Sequence, residues 1–192
     1  MSFIDAYLEE TLLATQAFCG DARHRRVLAD MADAIVASLR NGGKLLVCGN
    51  GGSAGDAQHI AGEFVSRLMH DRAPLAAIAL TTDTSVLTAT GNDYGFDRVF
   101  ERQVLALGQP GDVLLGISTS GTSANVLRAL AAGREKRLHC IGFAGAQDGP
   151  MTDACDLLLQ ATSTRTPVVQ QLHIVAAHVV CALVERAMFP QD

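Results

Sequence analysis

Basic residues are scarce and scattered, which removes the simplest route to a nucleic-acid groove. Lys and Arg number 15 against 20 Asp and Glu, for a formal net charge of −5. Arg23-His24-Arg25-Arg26 and Arg134-Glu135-Lys136-Arg137 read as solvated helix surface, so no nucleic-acid partner is expected. Cys19, Cys48, Cys140, Cys155 and Cys181 are odd in number, include no C-x-x-C pair and lie mostly in apolar runs. They read as reduced thiols of a cytoplasmic protein. A secretory leader is not expected either, because Asp5, Glu9 and Glu10 fall where basic and then uninterrupted apolar residues are needed. The most apolar segment, Val168 to Phe189, is broken by Gln170, Gln171, His173 and His178, so no membrane span is expected.

What is present suits a single α/β domain over residues 1–192. With 192 residues, 48% of them hydrophobic, the chain can bury roughly 70% of its extended surface. Its central stretch is Leu45 to Arg67. Four apolar residues and Gly49 form a strand buried on both faces; Gly49, Gly51 and Gly52 allow a tight turn, and Ser53 opens a helix. The unpaired N–H groups and dipole at that helix start favour an anion, most often phosphate. Along the helix, Asp56, His59, Glu63 and Arg67 share one face.

Residues 1–41 are expected to form two helices, over Phe3 to Phe18 and Val27 to Leu39, whose apolar stripes can bury against another copy of the chain. Residues 42–192 are expected to form the α/β core. Further strands are predicted at Ala76–Leu80, Val113–Ile117, Leu138–Gly142 and Asp156–Gln160. Thr81-Thr82-Asp83 resembles a helix N-cap, Ser85–Thr90 a helix, Gly91–Gly95 a loop, Val99–Leu107 and Ala124–Glu135 helices, and Thr166-Pro167 starts a long last helix. The alternation implies a parallel sheet covered by helices on both faces, with the ligand at the carboxyl ends of the strands.

Two other motif readings fit less well. Gly49 to Ala54 matches a dinucleotide fingerprint, but the acidic residue after the next strand is displaced to Asp83. Ser118 in Gly116-Ile117-Ser118-Thr119-Ser120 lacks the second glycine of a nucleophile elbow. Clustered hydroxyls ahead of a helix, without Lys or Arg, suit a small phosphate ester. In the last helix, wheel geometry places Gln171 nearer the His178 face than Gln170, and does not by itself choose between them.

Taken together, Cys48 to Ser53, Asp56-Ala57-Gln58-His59 with Glu63, Gly91 to Phe96, Gly116 to Gly121, and Gln170 with His178 closely resemble the bacterial phosphoheptose isomerases of the sugar isomerase (SIS) domain group. The resemblance spans about Leu39 to Glu185. It implies a three-layer α/β sandwich on a five-stranded parallel sheet of flavodoxin-like order, with two N-terminal helices used for oligomerisation. It also implies conversion of sedoheptulose 7-phosphate to D-glycero-D-manno-heptose 7-phosphate, the first step toward the heptose precursors of lipopolysaccharide or capsule. Glu63 and His178 match the family's acid/base residues. Asn50, Gly51, Gly52, Ser53, Glu63, Asn92, Asp93, Ser118, Thr119, Ser120, Ser123 and Gln170 match its substrate-contacting positions. Zinc, held in some members, would fall to His59, Glu63, Gln170 and His178, which favours Gln170 over Gln171. The family forms tetramers with sites between subunits. One departure is that Thr164-Arg165-Thr166-Pro167 stands where some relatives carry an acidic residue.

The chemistry is consistent with these residue types. Moving a carbonyl from C2 to C1 needs a group to carry a carbon proton and another to move protons between oxygens, work suited to a carboxylate and an imidazole. The alternative is a non-catalytic SIS protein that associates with the bacterial replication initiator. A sugar-phosphate sensor is a third reading, but the chain lacks room for an added DNA-binding domain.

Overall fold

Alternating faces of five short strands divide the core into two halves. The structure is a computed structural model that describes residues 2–191. Strands β1 (Leu45–Gly49), β2 (Ala77–Ala79), β3 (Val113–Ser118), β4 (His139–Ala144) and β5 (Leu157–Gln160) form one parallel sheet of order β2-β1-β3-β4-β5. Leu45 and Val47 of β1, Val113, Leu115 and Ile117 of β3, and Ile141 and Phe143 of β4 point to one face. Leu46, Cys48, Leu114 and Cys140 point to the other. Both faces are covered, which is why β1 and β3 are apolar without interruption.

The helices divide accordingly. Helices α1 (Phe3–Gly20), α2 (Ala22–Arg40), α3 (Gly52–Val65) and α8 (Thr166–Met188) serve the first face. Helices α4 (Thr84–Tyr94), α5 (Glu101–Leu107), α6 (Ala124–Glu135) and α7 (Met151–Ala154) serve the second. The expected three-layer α/β sandwich is therefore the fold observed. By length and composition α8 is apolar enough to cross a membrane, yet Val168, Val169, Leu172, Ala176, Ala177, Val180 and Val184 belong to the core against the sheet.

Some boundaries differ from expectation. Gly91 to Tyr94, read as loop, continues α4: Asp83 accepts the Val86 N–H at 3.0 Å to start the helix, and Gly95 at φ 91° ends it. Arg102 stacks 3.9 Å above the Tyr94 ring, a tertiary contact that overrides a weak local preference. The helix expected from Val99 begins as a 3₁₀ turn, Phe96–Arg98, and α7 was not anticipated. Strand β2 is also shorter than its apolar run. Cys48, Cys140, Cys155 and Cys181 are buried and Cys19 is exposed; burial pushes the four buried thiols' pKa values well up, so they are poor nucleophiles.

Chain direction reverses at β1. From β1 the chain moves outward to β2, then returns past it to β3, so the crevice between the β1 and β3 carboxyl ends is the topological switch point. Both polar loops singled out in the sequence leave the sheet there.

Candidate active site

The β1–α3 turn is shaped by glycine. Gly51 has φ 56° and ψ −121°, a conformation strained for any residue with a Cβ. Gly52 lies under the Gln170 amide: a Cβ there would sit 2.4 Å from Nε2 and 2.7 Å from Cδ. Gln170 is half-buried against this turn while Gln171 is exposed, so Gln170 is the glutamine that faces the turn. Ser53 is buried behind it.

Across the crevice, the β3–α6 loop presents hydroxyls. Ser118 Oγ lies 2.9 Å from Ser123 Oγ and 3.4 Å from Ser120 Oγ, which in turn lies 2.9 Å from Thr122 Oγ1. Thr119 is half-buried beside them. Helices α1, α2 and α4 are capped by Ser2, Asp21 and Asp83, whereas α3 and α6 have no side-chain cap. Their positive ends remain open to an anion. A cavity of about 110 Å³ beside this loop is lined by Thr119, Ser120, Thr164 and Thr166 and by no cationic side chain.

Asn125 was not foreseen. It is buried near the start of α6 and exchanges two 2.8 Å amide hydrogen bonds with Asn50, so the two loops are fastened together. Its signal was a carboxamide on a helix face otherwise occupied by Val126, Ala129 and Leu130.

Further along α3, three side chains converge. His59 Nε2 is 3.2 Å from Glu63 Oε1 and 2.9 Å from His178 Nε2, with the two imidazoles edge-on at 5.1 Å between centroids. The ligand atoms of His59, Glu63 and His178 all lie within 4.8 Å of one another. Donors about 2.0–2.1 Å from a tetrahedral ion are about 3.3 Å apart, so these three can hold a metal ion. Glu63 is half-buried and both histidines are exposed. One turn earlier, Asp56 has a buried, unpartnered Oδ2; burial raises its pKa, partly offset by His59.

Two of the expected substrate positions stand apart. Asn92 and Asp93 lie at the exposed end of α4, where Asn92 Nδ2 donates to Asp93 Oδ1 at 2.8 Å; their side chains hydrogen-bond to each other and to none of the residues above. His173 belongs to the core, where its Nε2 donates to the Ala144 carbonyl at 3.1 Å and burial pushes its pKa down to about 4.

Residues 13–145, which include β1 to β4 and both polar loops at the switch point, match the SIS domain family. The phosphoheptose isomerase of Burkholderia pseudomallei is 51% identical over 189 residues, covering 98% of this chain and 96% of that one. Among solved structures, a phosphoheptose isomerase from Neisseria gonorrhoeae is similar at 44% identity and TM-score 0.87, covering 94% of this chain and 97% of that one. One from Francisella tularensis reaches TM-score 0.91 at 35% identity, covering 95% and 96%. The chain belongs to the phosphoheptose isomerase family.

Proposed function

We propose that this chain is an aldose–ketose isomerase that converts sedoheptulose 7-phosphate to D-glycero-D-manno-heptose 7-phosphate through a cis-enediol(ate). The step opens the supply of heptose precursors for lipopolysaccharide or capsule. One observation carries the reading: Glu63 from α3 and His178 from α8 meet at His59, further along the same two helices whose starts bring Gly52 and Gln170 together.

The sugar phosphate is gripped at the switch point by the open ends of α3 and α6 and by the hydroxyls of Ser53, Ser118, Thr119, Ser120 and Ser123, with Asn50, Gly51 and Gly52 shaping the wall. This leaves C1 and C2 near the carboxylate and imidazole. Glu63 Oε1 faces His59, which leaves Oε2 to take the proton from C1 and return it to C2. His178 moves the proton between O1 and O2. Zinc, held by His59, Glu63, Gln170 and His178, would supply Lewis-acid polarisation of the carbonyl and its neighbouring hydroxyl.

Asn92 and Asp93 complete the substrate site from another subunit of a homotetramer. Two observations support the assembly. Those residues are exposed at the end of α4, and α1 exposes Phe3 (79%), Ile4 (68%), Leu8 (61%), Leu12 (57%) and Leu13 (58%) in the single chain. The protein works in the cytoplasm as one SIS domain over residues 1–192, without nucleic-acid or membrane partners.

Incubation of the purified protein with sedoheptulose 7-phosphate, with and without a chelator and alongside elemental analysis, tests the reading. Glu63→Gln and His178→Gln are each expected to fold and bind the sugar phosphate while losing about 10²–10⁴-fold in kcat. Near-normal kcat in either variant would overturn the assignment, and wild-type protein that forms no aldose would support a non-catalytic SIS protein.

A further inference from the structure

A buried ion pair joins the two helices that carry the reacting groups, at the end remote from the substrate loops. Arg72 and Glu185 are 3% and 2% exposed at their side chains, with Arg72 Nε 3.0 Å from Glu185 Oε2. The Arg72 guanidinium donates through Nη2 to the Glu63 carbonyl at 2.6 Å and through Nη1 to the Phe64 carbonyl at 2.7 Å. It also reaches the Ser66 and Ala73 carbonyls at 3.3 and 3.0 Å. A cation placed on the last carbonyls of α3 satisfies acceptors that the helix leaves open and complements its dipole. Glu185 accepts the Leu68 and Met69 N–H groups at 3.0 and 2.7 Å, and His70 Nδ1 lies 3.7 Å away. Every charged atom of the pair is thus committed. Seven residues separate Glu185 from His178 on α8, about 20° around the helix, so the two share a face.

We infer that Arg72 and Glu185 are positioning residues: the guanidinium holds the Glu63 backbone from α3, the carboxylate holds Arg72 from α8, and together they set Glu63 against His178. Neither touches the reacting atoms. The kinetic part of this inference rests on the isomerase reading; the metal-binding part rests on the His59, Glu63 and His178 geometry.

The test compares Glu185→Gln, Arg72→Lys and the paired Arg72→Met/Glu185→Leu variant with Asp112→Asn. In Glu185→Gln the new amide N–H₂ would face backbone N–H donors where the carboxylate accepted them, and in Arg72→Lys a single ammonium cannot span two carbonyls and a carboxylate at once. The paired variant replaces both ions by apolar side chains, so that it lacks the link and leaves no unpaired charge buried. Asp112 is the control: it accepts Lys44 Nζ and two backbone N–H groups in a second ion-pair cluster at the starts of the central strands β1 and β3, with partners on neither α3 nor α8. At temperatures where melting curves show each protein folded, the three hub variants should lose about tenfold in zinc affinity, read by chelator competition, and about tenfold in kcat, with KM within twofold. Asp112→Asn should lower the melting temperature and leave zinc affinity and kcat within twofold. Hub variants that lose stability as Asp112→Asn does yet keep wild-type zinc affinity and kcat would overturn the inference. Wild-type protein that binds zinc but does not turn over would overturn the isomerase reading while the affinity comparison still decides the positioning role. Wild-type protein that turns over without binding zinc would overturn the metal-binding part, and the kcat comparison would then decide the positioning role.

Discussion

Gly52→Ala separates the role of Gln170 from the stability of the fold. Gly52 opens α3 and its conformation is open to any residue, so alanine gains up to about 1 kcal/mol of helix propensity. The added methyl would lie 2.4 Å from Gln170 Nε2 and 2.8 Å from its Oε1. Ordinary contact needs about 3.5 Å or more, so the amide must retreat by about 1 Å. That movement is inexpensive, because the end of a glutamine side chain swings freely. The melting temperature should therefore stay within about 4 °C of wild type. A misplacement of about 1 Å in a positioning group can cost about 10²-fold, or about 2.7 kcal/mol of transition-state stabilisation. The expected result is a variant with wild-type melting and a kcat/KM for sedoheptulose 7-phosphate about 10²-fold lower. Gly51→Ala should behave differently, losing about 1–3 kcal/mol of stability, since φ 56° with ψ −121° strains a residue with a Cβ. Full activity in a normally folded Gly52→Ala protein would refute the placement of Gln170 in the site.

Acid should destabilise the protein in two steps. His173 has its pKa held at about 4, so the unfolded chain takes a proton near 6.5 that the folded chain refuses, and stability falls by about 3 kcal/mol as pH drops from 6.5 to 4. Burial opposes ionisation of Glu185, but the Leu68 and Met69 N–H groups and Arg72 outweigh it and hold the pKa at about 2. Its contribution is complete above about 4.5 and is lost as pH falls through 2; a similar loss of about 3 kcal/mol is expected there. Denaturant midpoints measured against pH should flatten in the upper window for His173→Asn and in the lower one for Glu185→Gln, and curves parallel to wild type would contradict both assignments. For assembly, Leu8→Glu with Leu12→Glu should reduce the sedimenting mass without loss of helix signal; a wild-type monomer at micromolar concentration would contradict the proposed tetramer.

The sheet was legible because β1 and β3 are unbroken apolar runs and because each runs directly into a polar, glycine- or serine-rich loop and then a helix. The His59 and Glu63 spacing was legible for the same reason, helical geometry being local. His178 lies 119 residues from His59, and only its place in a familiar motif set tied it to the cluster. Wheel angles left Gln170 and Gln171 undecided because the outcome depends on how α8 is rotated against the Gly52 turn. Asn125 and the Arg72–Glu185 pair escaped notice because each is defined by a partner far away in the chain. The continuation of α4 through Gly91 to Tyr94 was hidden by a Gly-Asn-Asp composition that locally favours a turn.

The proton's path is most directly read by isomerisation of sedoheptulose 7-phosphate in deuterated water, followed by NMR. With Glu63 carrying the proton from C1 to C2 through an enediol, deuterium should enter C2 of the aldose to the extent that the carboxyl exchanges its proton with solvent before returning it, and neither aldose nor exchange at C1 should appear with Glu63→Gln. Aldose formed at the wild-type rate by Glu63→Gln would contradict that chemistry.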